Sequence, residues 1–454
     1  MARLFGTDGV RGRANSADLS AEMAMALAVA SAHVLGEAGQ LDGRPTALVG
    51  RDPRISGEFL ESAVVAGLAS AGVDVVRIGI VPTPGLAYLT GALDADFAVM
   101  LSASHNPMPD NGIKIFSRGG VKLDDALEDA IEARLDVEWD RPQGAQVGRV
   151  SDAPGAVEQY VAHLVSSLGS DSDDSVSLNG ISVVVDAANG AAYRTAVEAF
   201  SAQGAEVLPI NATPDGLNIN EHCGSTHPEE LQRAVVDNRA DLGIALDGDA
   251  DRCLAVDHEG NLIDGDQILA VLALGMKERG RLVRDTVVAT VMSNLGFVQA
   301  MRAHGLRVEQ TKVGDRYVLE AMNAEGYTLG GEQSGHVVMS EFATTGDGVL
   351  TGLHLMARIA QTKSPLKELA SVMTRLPQVL INVPGVDKTR VNIDPGVLAA
   401  VRGAAEALSE TGRVLLRPSG TEPLVRVMVE APTDAEARRH AEDLAAVVRE
   451  RLSL

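Results

Sequence analysis

The chain has 454 residues, 45% of them hydrophobic, enough to bury several cores, so a multidomain globular protein is expected and a disordered polymer is excluded. Asp and Glu number 62 against 39 Lys and Arg, a net charge of -23 that repels polyanionic backbones and argues against a nucleic-acid partner, although a few arginines focused in a cleft still hold a small phosphate. Cys223 and Cys253 form no redox or zinc motif, apolar runs such as 268–274 are too short to span a bilayer, and Asp8 and Arg11 stand where a signal peptide would be apolar. A cytoplasmic protein with no membrane attachment is expected.

The first segment alternates strands and helices. Strand signals at 47–49, 73–76 and 97–101 flank a helix in which Ser56 is a candidate cap, Leu60, Val64 and Leu68 recur every four residues, and Gly72 is a candidate stop. This is the rhythm of a parallel sheet with crossover helices. It restarts after a Pro/Gly stretch at 152–155, with strands at 181–185 and 242–246 and a helix ending near Phe200. The Ser/Asp-rich residues 166–177 read as an exposed loop. A third round follows Asp257, with a helix at 266–278 and strands at 287–291 and 327–331. The tail has strands at 379–383, 413–416 and 425–430 and helices at 395–408 and 433–451, a smaller α+β domain with a mainly antiparallel sheet.

Four turns carry candidate chemistry. The first is Ser102-Ala103-Ser104-His105-Asn106-Pro107, followed by Asn111-Gly112-Ile113-Lys114; a reacting or phosphorylated hydroxyl needs donors and cations nearby, and His105 and Lys114 supply them. Ordinary turn chemistry is the competing reading. The second is Asp247-Gly248-Asp249-Ala250-Asp251-Arg252, alternating carboxylates after an apolar strand that suit a hard cation, with Gly248 expected to permit the tight turn. A calcium-binding helix-loop-helix is disfavoured, because Arg252 and His258 stand where that loop needs Gly and Glu. The third is Gly330-Gly331-Glu332-Gln333-Ser334-Gly335-His336, where glycines are expected to let the backbone approach a ligand while Glu332 and Ser334 present hydrogen-bonding groups to sugar hydroxyls. The fourth is Arg417-Pro418-Ser419-Gly420-Thr421-Glu422-Pro423 with Arg426, a phosphate cradle of guanidinium groups, hydroxyls and backbone amides. Nucleotide-binding glycine loops are absent from the sequence, which disfavours a nucleotide cofactor.

These four turns, with Phe5-Gly6-Thr7-Asp8-Gly9-Val10-Arg11-Gly12 before them, resemble the α-D-phosphohexomutase superfamily nearly end to end. The resemblance implies an α/β protein of four domains around a central cleft. Three are related α/β domains with mixed sheets, at 1–154 with the phosphoserine loop, 155–256 with the metal loop and 257–370 with the sugar loop; the C-terminal α+β domain at 371–454 holds the phosphate loop. It implies phosphorylation of Ser104 and Mg²⁺ held by Asp247, Asp249, Asp251 and the Ser104 phosphoryl group. Arg11, His105, Lys114, Arg252 and His336 join the catalytic set; Glu332 and Ser334 take the sugar, and Arg417, Ser419, Gly420, Thr421 and Arg426 the distal phosphate.

Gln333 resembles the branch acting on glucosamine phosphates. The implied reaction converts glucosamine 6-phosphate to glucosamine 1-phosphate through glucosamine 1,6-bisphosphate. Either that compound or glucose 1,6-bisphosphate would serve as activator, or a separate kinase would phosphorylate the enzyme, acting as monomer or homodimer.

Overall fold

A computed structural model of the chain describes residues 3–6, 8–41, 43–169, 176–419 and 424–454. The middle of the Ser/Asp-rich loop, 170–175, and Gly420 and Thr421 of the fourth motif lie outside the described residues. The chain forms two compact units, one of Met1–Val291 with Val308–Ser371 and one of Met292–Arg307 with Val372–Leu454.

The larger unit contains three mixed sheets. The first has seven strands: β1 (Val10–Arg13), β2 (Thr46–Arg51), β3 (Asp74–Ile80), β4 (Phe97–Leu101), β5 (Asp110–Ser117), β6 (Val121–Lys122) and β7 (Val150–Asp152). Their order is β1-β5-β4-β2-β3-β7, with β6 paired to β5. The central strands β2, β3 and β4 are parallel, and β5 turns back antiparallel on β4. All five residues of β4 are buried, as its uninterrupted apolar run requires of an interior strand. The helix Ser56–Ser70 buries Leu60, Val64 and Leu68 as its four-residue spacing predicts, but Ser56 is its first helical residue and not its cap. Its hydroxyl instead accepts from Asn111 Nδ2 at 2.9 Å.

The second sheet joins β8 (Ser182–Asp186), β9 (Glu206–Ile210), β10 (Leu242–Leu246), β11 (Cys253–Asp257) and β12 (Leu262–Ile263) in the order β12-β11-β10-β8-β9. Here β8, β9 and β10 are parallel and β11 returns antiparallel on β10. The third joins β13 (Thr286–Thr290), β14 (Arg307–Thr311), β15 (Leu329–Gly331) and β16 (Val337–Met339) in the order β14-β13-β15-β16, with β15 parallel to β13 and β16 antiparallel to β15. In each sheet an antiparallel strand turns back on the last strand of a parallel pair. The three hairpin loops, 102–109, 247–252 and 332–336, are the first three motifs.

The smaller unit has an all-antiparallel sheet of β17 (Gln378–Pro384), β18 (Arg413–Pro418) and β19 (Leu424–Glu430) in the order β17-β19-β18. Its core combines Val379, Val383, Val425, Val427 and Val429 with Ala441, Leu444 and Val448 of the helix Asp434–Leu452. The helix Leu295–Ala303 belongs to this unit although it lies between β13 and β14 in the chain. Buried Glu430 explains the attachment, accepting from Asn294 Nδ2 at 3.3 Å and from the Leu295 amide at 3.0 Å. Arg417 and Pro418 of the fourth motif end β18 and Arg426 lies on β19, which pairs antiparallel with it.

Candidate active site

Ser104 is 1% exposed and adopts φ 53°, a left-handed conformation that costs a non-glycine residue energy and is held by its surroundings. The restraint is visible. Arg54 is wholly buried, pairs with Asp52 at 2.9 Å, and donates to the carbonyls of Ser104 (3.0 Å), Asn106 (2.8 Å), Pro107 (2.7 Å) and Asp110 (3.0 Å). Asn220 Nδ2 adds bonds to the Ser104 carbonyl at 2.8 Å and the Asn106 carbonyl at 3.0 Å. One guanidinium and one amide thus fix the whole loop.

The two serines of the motif face different partners. Ser102 Oγ donates to Asp52 at 2.6 Å and accepts the Ser104 amide at 3.0 Å, so it is consumed by the scaffold. Ser104 Oγ donates to Asp247 Oδ2 at 2.6 Å and lies 3.3 Å from His105 Nδ1.

Asp247, Asp249 and Asp251 converge from the hairpin loop between β10 and β11, each offering an oxygen within 4.8 Å of the others. The left-handed residue of this turn is Ala250, at φ 57°. Gly248 was expected to supply that turn, but its role is steric: a Cβ there would meet the Ser104 carbonyl at 2.6 Å and Asn220 Nδ2 at 2.8 Å. The glycine lets the acidic loop lie against the serine loop.

Lys114 comes from β5, where pairing with β4 points it into the acidic cluster; Nζ is 2.8 Å from Asp249 Oδ2, 2.7 Å from Asp8 Oδ2 and 3.6 Å from Asp251 Oδ2. Burial opposes its charge, but Asp249, Asp8 and Asp251 overcome that and hold the ammonium well above its ordinary range. Burial likewise pushes Asp249 upward, yet Lys114 and the Thr83 hydroxyl at 2.5 Å bring it down to about 2. For Asp247, burial with repulsion from Asp251 and Asp249 outweighs the attraction of Arg252 and holds it well above the carboxylate range. Burial, then Arg252 and Arg11, lowers His105 to about 4, leaving a neutral imidazole beside Ser104 at neutral pH.

The cluster passes a test for a divalent cation. Asp249 Oδ1 and Asp251 Oδ1 are buried without a hydrogen-bond partner, and Asp247 is a carboxylate whose ionisation needs compensating charge. An all-oxygen donor set of this kind could hold a hard ion such as Mg²⁺.

A cleft of about 410 Å³ brings further motif residues together: Arg11, His105, Asp251, Arg252, Glu332 and His336 all line it, with Asp8 and Asp315. Arg11 donates to Asp8 Oδ2 at 2.5 Å, and Arg252 Nε is 3.9 Å from Asp251 Oδ1. Glu332 Oε1 accepts the Gly314 amide at 3.0 Å. Ser334 Oγ and both ring nitrogens of His336 are buried without hydrogen bonds. Ser334 belongs to the same hairpin but is not part of the cleft wall. Two glycines of this motif approach the protein's own backbone, not an open ligand face: a Cβ at Gly331 would meet the His336 carbonyl and one at Gly335 the Cys253 carbonyl, each at 2.4 Å.

In the smaller unit Arg417 and Arg426 stand directly opposite each other on β18 and β19, hence on one face, and the Ser419 carbonyl accepts from Lys388 Nζ at 2.7 Å. Sequence reasoning missed Asp8 as the shared partner of two lysines, Arg54 and Asn220 as loop scaffold, and Thr83 against Asp249. Asp8 lay inside a quoted motif; the others are isolated residues whose partners are distant in sequence.

Family models match in four consecutive pieces: the phosphoglucomutase/phosphomannomutase α/β/α domain I over residues 2–140, domain II over 158–260, domain III over 264–376 and the C-terminal domain over 380–447. The chain belongs to this family, within the α-D-phosphohexomutase superfamily, and is an isomerase of the phosphohexomutase type. It is 66% identical to the phosphoglucosamine mutase of Cutibacterium acnes over 455 residues and 64% identical to that of a Nocardioides species over 455 residues, each covering 100% of both chains. Among solved structures it is similar to a phosphoglucomutase/phosphomannomutase family protein of Burkholderia thailandensis, with TM-score 0.82 and 26% identity over 99% of this chain and 97% of that one. No helix among the described residues is long and apolar enough to cross a membrane.

Proposed function

We propose that the chain interconverts glucosamine 6-phosphate and glucosamine 1-phosphate, with Ser104 as the phosphoryl carrier. The observation that carries this reading is the Ser104 hydroxyl, 2.6 Å from Asp247 in a loop pinned by Arg54, beside three carboxylates and a buried lysine. The relatives at 66 and 64% identity support glucosamine as the sugar.

In the first half-reaction phospho-Ser104 gives its phosphoryl group to O1 of glucosamine 6-phosphate; the P–O bond to serine breaks as the bond to O1 forms, and the O1 proton is released to a base. Glucosamine 1,6-bisphosphate then reverses its orientation. Its C6 phosphoryl group returns to Ser104, O6 regains a proton, and glucosamine 1-phosphate leaves. Charge decides what must surround this serine. A phosphoserine carries about -1.5 to -2 charge near neutral pH, next to Asp247, so compensation is essential. Asp247, Asp249 and Asp251 would hold Mg²⁺, which when bound supplies Lewis-acid stabilisation of phosphoryl oxygens. Lys114 contributes a fixed positive charge, because three carboxylates keep it protonated. Arg11 and Arg252 add cationic groups along the cleft wall. Glu332, Ser334 and His336 offer hydrogen-bonding groups to the sugar, and Arg417 and Arg426 with Ser419, Gly420 and Thr421 form the phosphate-binding motif of the smaller unit.

The test is product identification. Purified protein with Mg²⁺, a sugar 1,6-bisphosphate activator and either glucosamine, glucose or mannose 6-phosphate should give the highest kcat/KM for glucosamine 6-phosphate. Equal or higher efficiency with glucose or mannose phosphate defeats the glucosamine assignment, and release of inorganic phosphate in place of a 1-phosphate defeats the mutase reading altogether.

A further inference from the structure

Lys122 and Asp315 lie outside every motif, yet they continue the charge network of the serine site to the third hairpin loop. The sheet sets the route. Lys114 and Phe116 share one face of β5, and Lys122 of β6 stands opposite Phe116, which makes the two lysines diagonal neighbours on that face. Two ammonium groups so placed, Lys114 buried and Lys122 half-buried, need an anion between them. Asp8 supplies it, with Oδ2 2.7 Å from Lys114 Nζ and Oδ1 2.7 Å from Lys122 Nζ.

Lys122 also donates to Asp315 Oδ2, and that same oxygen is 3.7 Å from His336 Nε2. Asp315 opens the helix Asp315–Glu325 and follows Gly314, whose amide is fixed on Glu332. Arg316 fastens the turn to the first sheet region, donating to the Leu123 carbonyl at 3.3 Å and pairing with Glu128 at 2.8 Å. The sequence Asp249, Lys114, Asp8, Lys122, Asp315, His336 is thus an unbroken alternation of charge ending in an imidazole. His336 forms no hydrogen bond through either ring nitrogen, and Asp315 is the carboxylate beside it.

We propose that Lys122 and Asp315 are positioning residues for phosphoryl transfer, Lys122 keeping Lys114 aligned on Asp249 through Asp8 and keeping His336 aligned in the sugar cleft through Asp315. The proposal rests on the mutase reading above. A positioning role is distinguished from a purely structural one by its effect on turnover.

The experiment compares Lys122→Met, Asp315→Asn and the double variant with wild type as full-length enzymes. Steady-state kinetics are run on glucosamine, glucose and mannose 6-phosphates, with urea unfolding in parallel. Each single change is expected to lower kcat by about 10- to 100-fold with KM within about threefold, since misalignment costs turnover more than ground-state binding. The double variant is expected to be no slower than the slower single one, because both cut one chain. Single variants with kcat within about twofold of wild type, losses carried by KM, or losses that multiply in the double variant would each overturn the proposal. Should Lys122→Met fail to fold, Asp315→Asn, nearly the same shape, decides alone by the same kcat criterion. Wild type inactive on all three sugars overturns the mutase reading and this proposal together. An active wild type with unaffected variants overturns only the proposal.

Discussion

The hairpin loops 247–252 and 332–336 occupy the same place in two similarly built sheets, but they leave different atoms unpaired. In the first, the orphaned groups include carboxylate oxygens of Asp249 and Asp251; in the second they are the Ser334 hydroxyl and both nitrogens of His336. A buried polar atom without a partner is costly in a finished fold, so what each loop leaves open indicates what it is built to receive. Carboxylate oxygens call for a cation; a hydroxyl and an imidazole suit a neutral or anionic polar ligand. The serine loop 102–109 contrasts with both, since Arg54 and Asn220 bind the carbonyls of Ser104, Asn106 and Pro107 while the Ser104 hydroxyl donates to Asp247 of the acidic cluster. Rigidity is placed under the Ser104 hydroxyl that we propose reacts, and unpaired polarity in the acidic loop and in the third hairpin, whose His336 lines the cleft.

The largest expected effect strikes the saturated loop. Ser104→Ala should lower turnover by more than ~10³-fold, because it deletes the covalent carrier, while the Arg54 bonds to backbone carbonyls preserve the fold. A coupled assay for glucosamine 1-phosphate, with urea unfolding alongside, checks both halves; turnover near wild type removes Ser104 from the reaction.

Next comes the acidic loop. Asp249→Asn removes one charge from the proposed cation site and one of the carboxylates that hold Lys114, and should cost on the order of 10²-fold in kcat with a raised Mg²⁺ requirement. A Mg²⁺ titration of turnover with the same midpoint and plateau as wild type would place the cation elsewhere.

A third test sharpens the contrast between buried carboxylates with and without a cation. Asp249 is held down to about 2, whereas Asp347, bonded to Tyr160 and to the Leu350 amide but to no cation among the described residues, is pushed up to about 6 by burial. A carboxyl raised above its ordinary value of 3.8 contributes stability that is full below that value and is lost as pH rises through about 6. Asp347→Asn should abolish this component, so the stability difference between variant and wild type should change by on the order of 2 kcal/mol between pH 4 and pH 7.5, in favour of the variant at the higher pH. Urea midpoints that track each other across that range would show that Asp347 titrates normally.

The smallest effect belongs to the open loop. The Ser334 hydroxyl has no partner to lose, so Ser334→Ala should leave stability within about 0.5 kcal/mol and raise KM for the sugar phosphate by roughly three- to tenfold. A marked fall in stability with unchanged KM would make Ser334 a structural residue.

The parts of this protein that were legible in sequence are the local ones. The strand Phe97–Leu101 and the helix Pro395–Leu408 stood out because an unbroken apolar run and a prolyl helix start are chain-neighbour signals. The acidic loop was legible for the same reason, since three carboxylates spaced by two follow a buried strand. By contrast β5 begins Asp110-Asn111-Gly112, which reads as a turn, and becomes a strand only because β4 and β1 pair with it on either side. Arg54 is unremarkable until Ser104, 50 residues on, is folded over it, and Lys122 meets Asp315 across 193 residues. Gly248 was legible as important but for the wrong reason: the need is clearance from the Ser104 carbonyl, a contact between distant loops that no local turn rule contains.

The central claim is that the Ser104 hydroxyl carries the phosphoryl group between substrate molecules, and its most direct test follows the phosphate itself. Dephosphorylated wild-type enzyme is exposed briefly to ³²P-labelled glucosamine 1,6-bisphosphate, separated, digested and mapped, then a second portion is chased with unlabelled glucosamine 6-phosphate. Approximately one label per chain is expected on the peptide containing Ser104, absent in Ser104→Ala, and discharged to sugar at least as fast as steady-state turnover. Isomerisation proceeding with no label on the chain, or label on Ser102 that turns over while Ser104 stays unmodified, would contradict it.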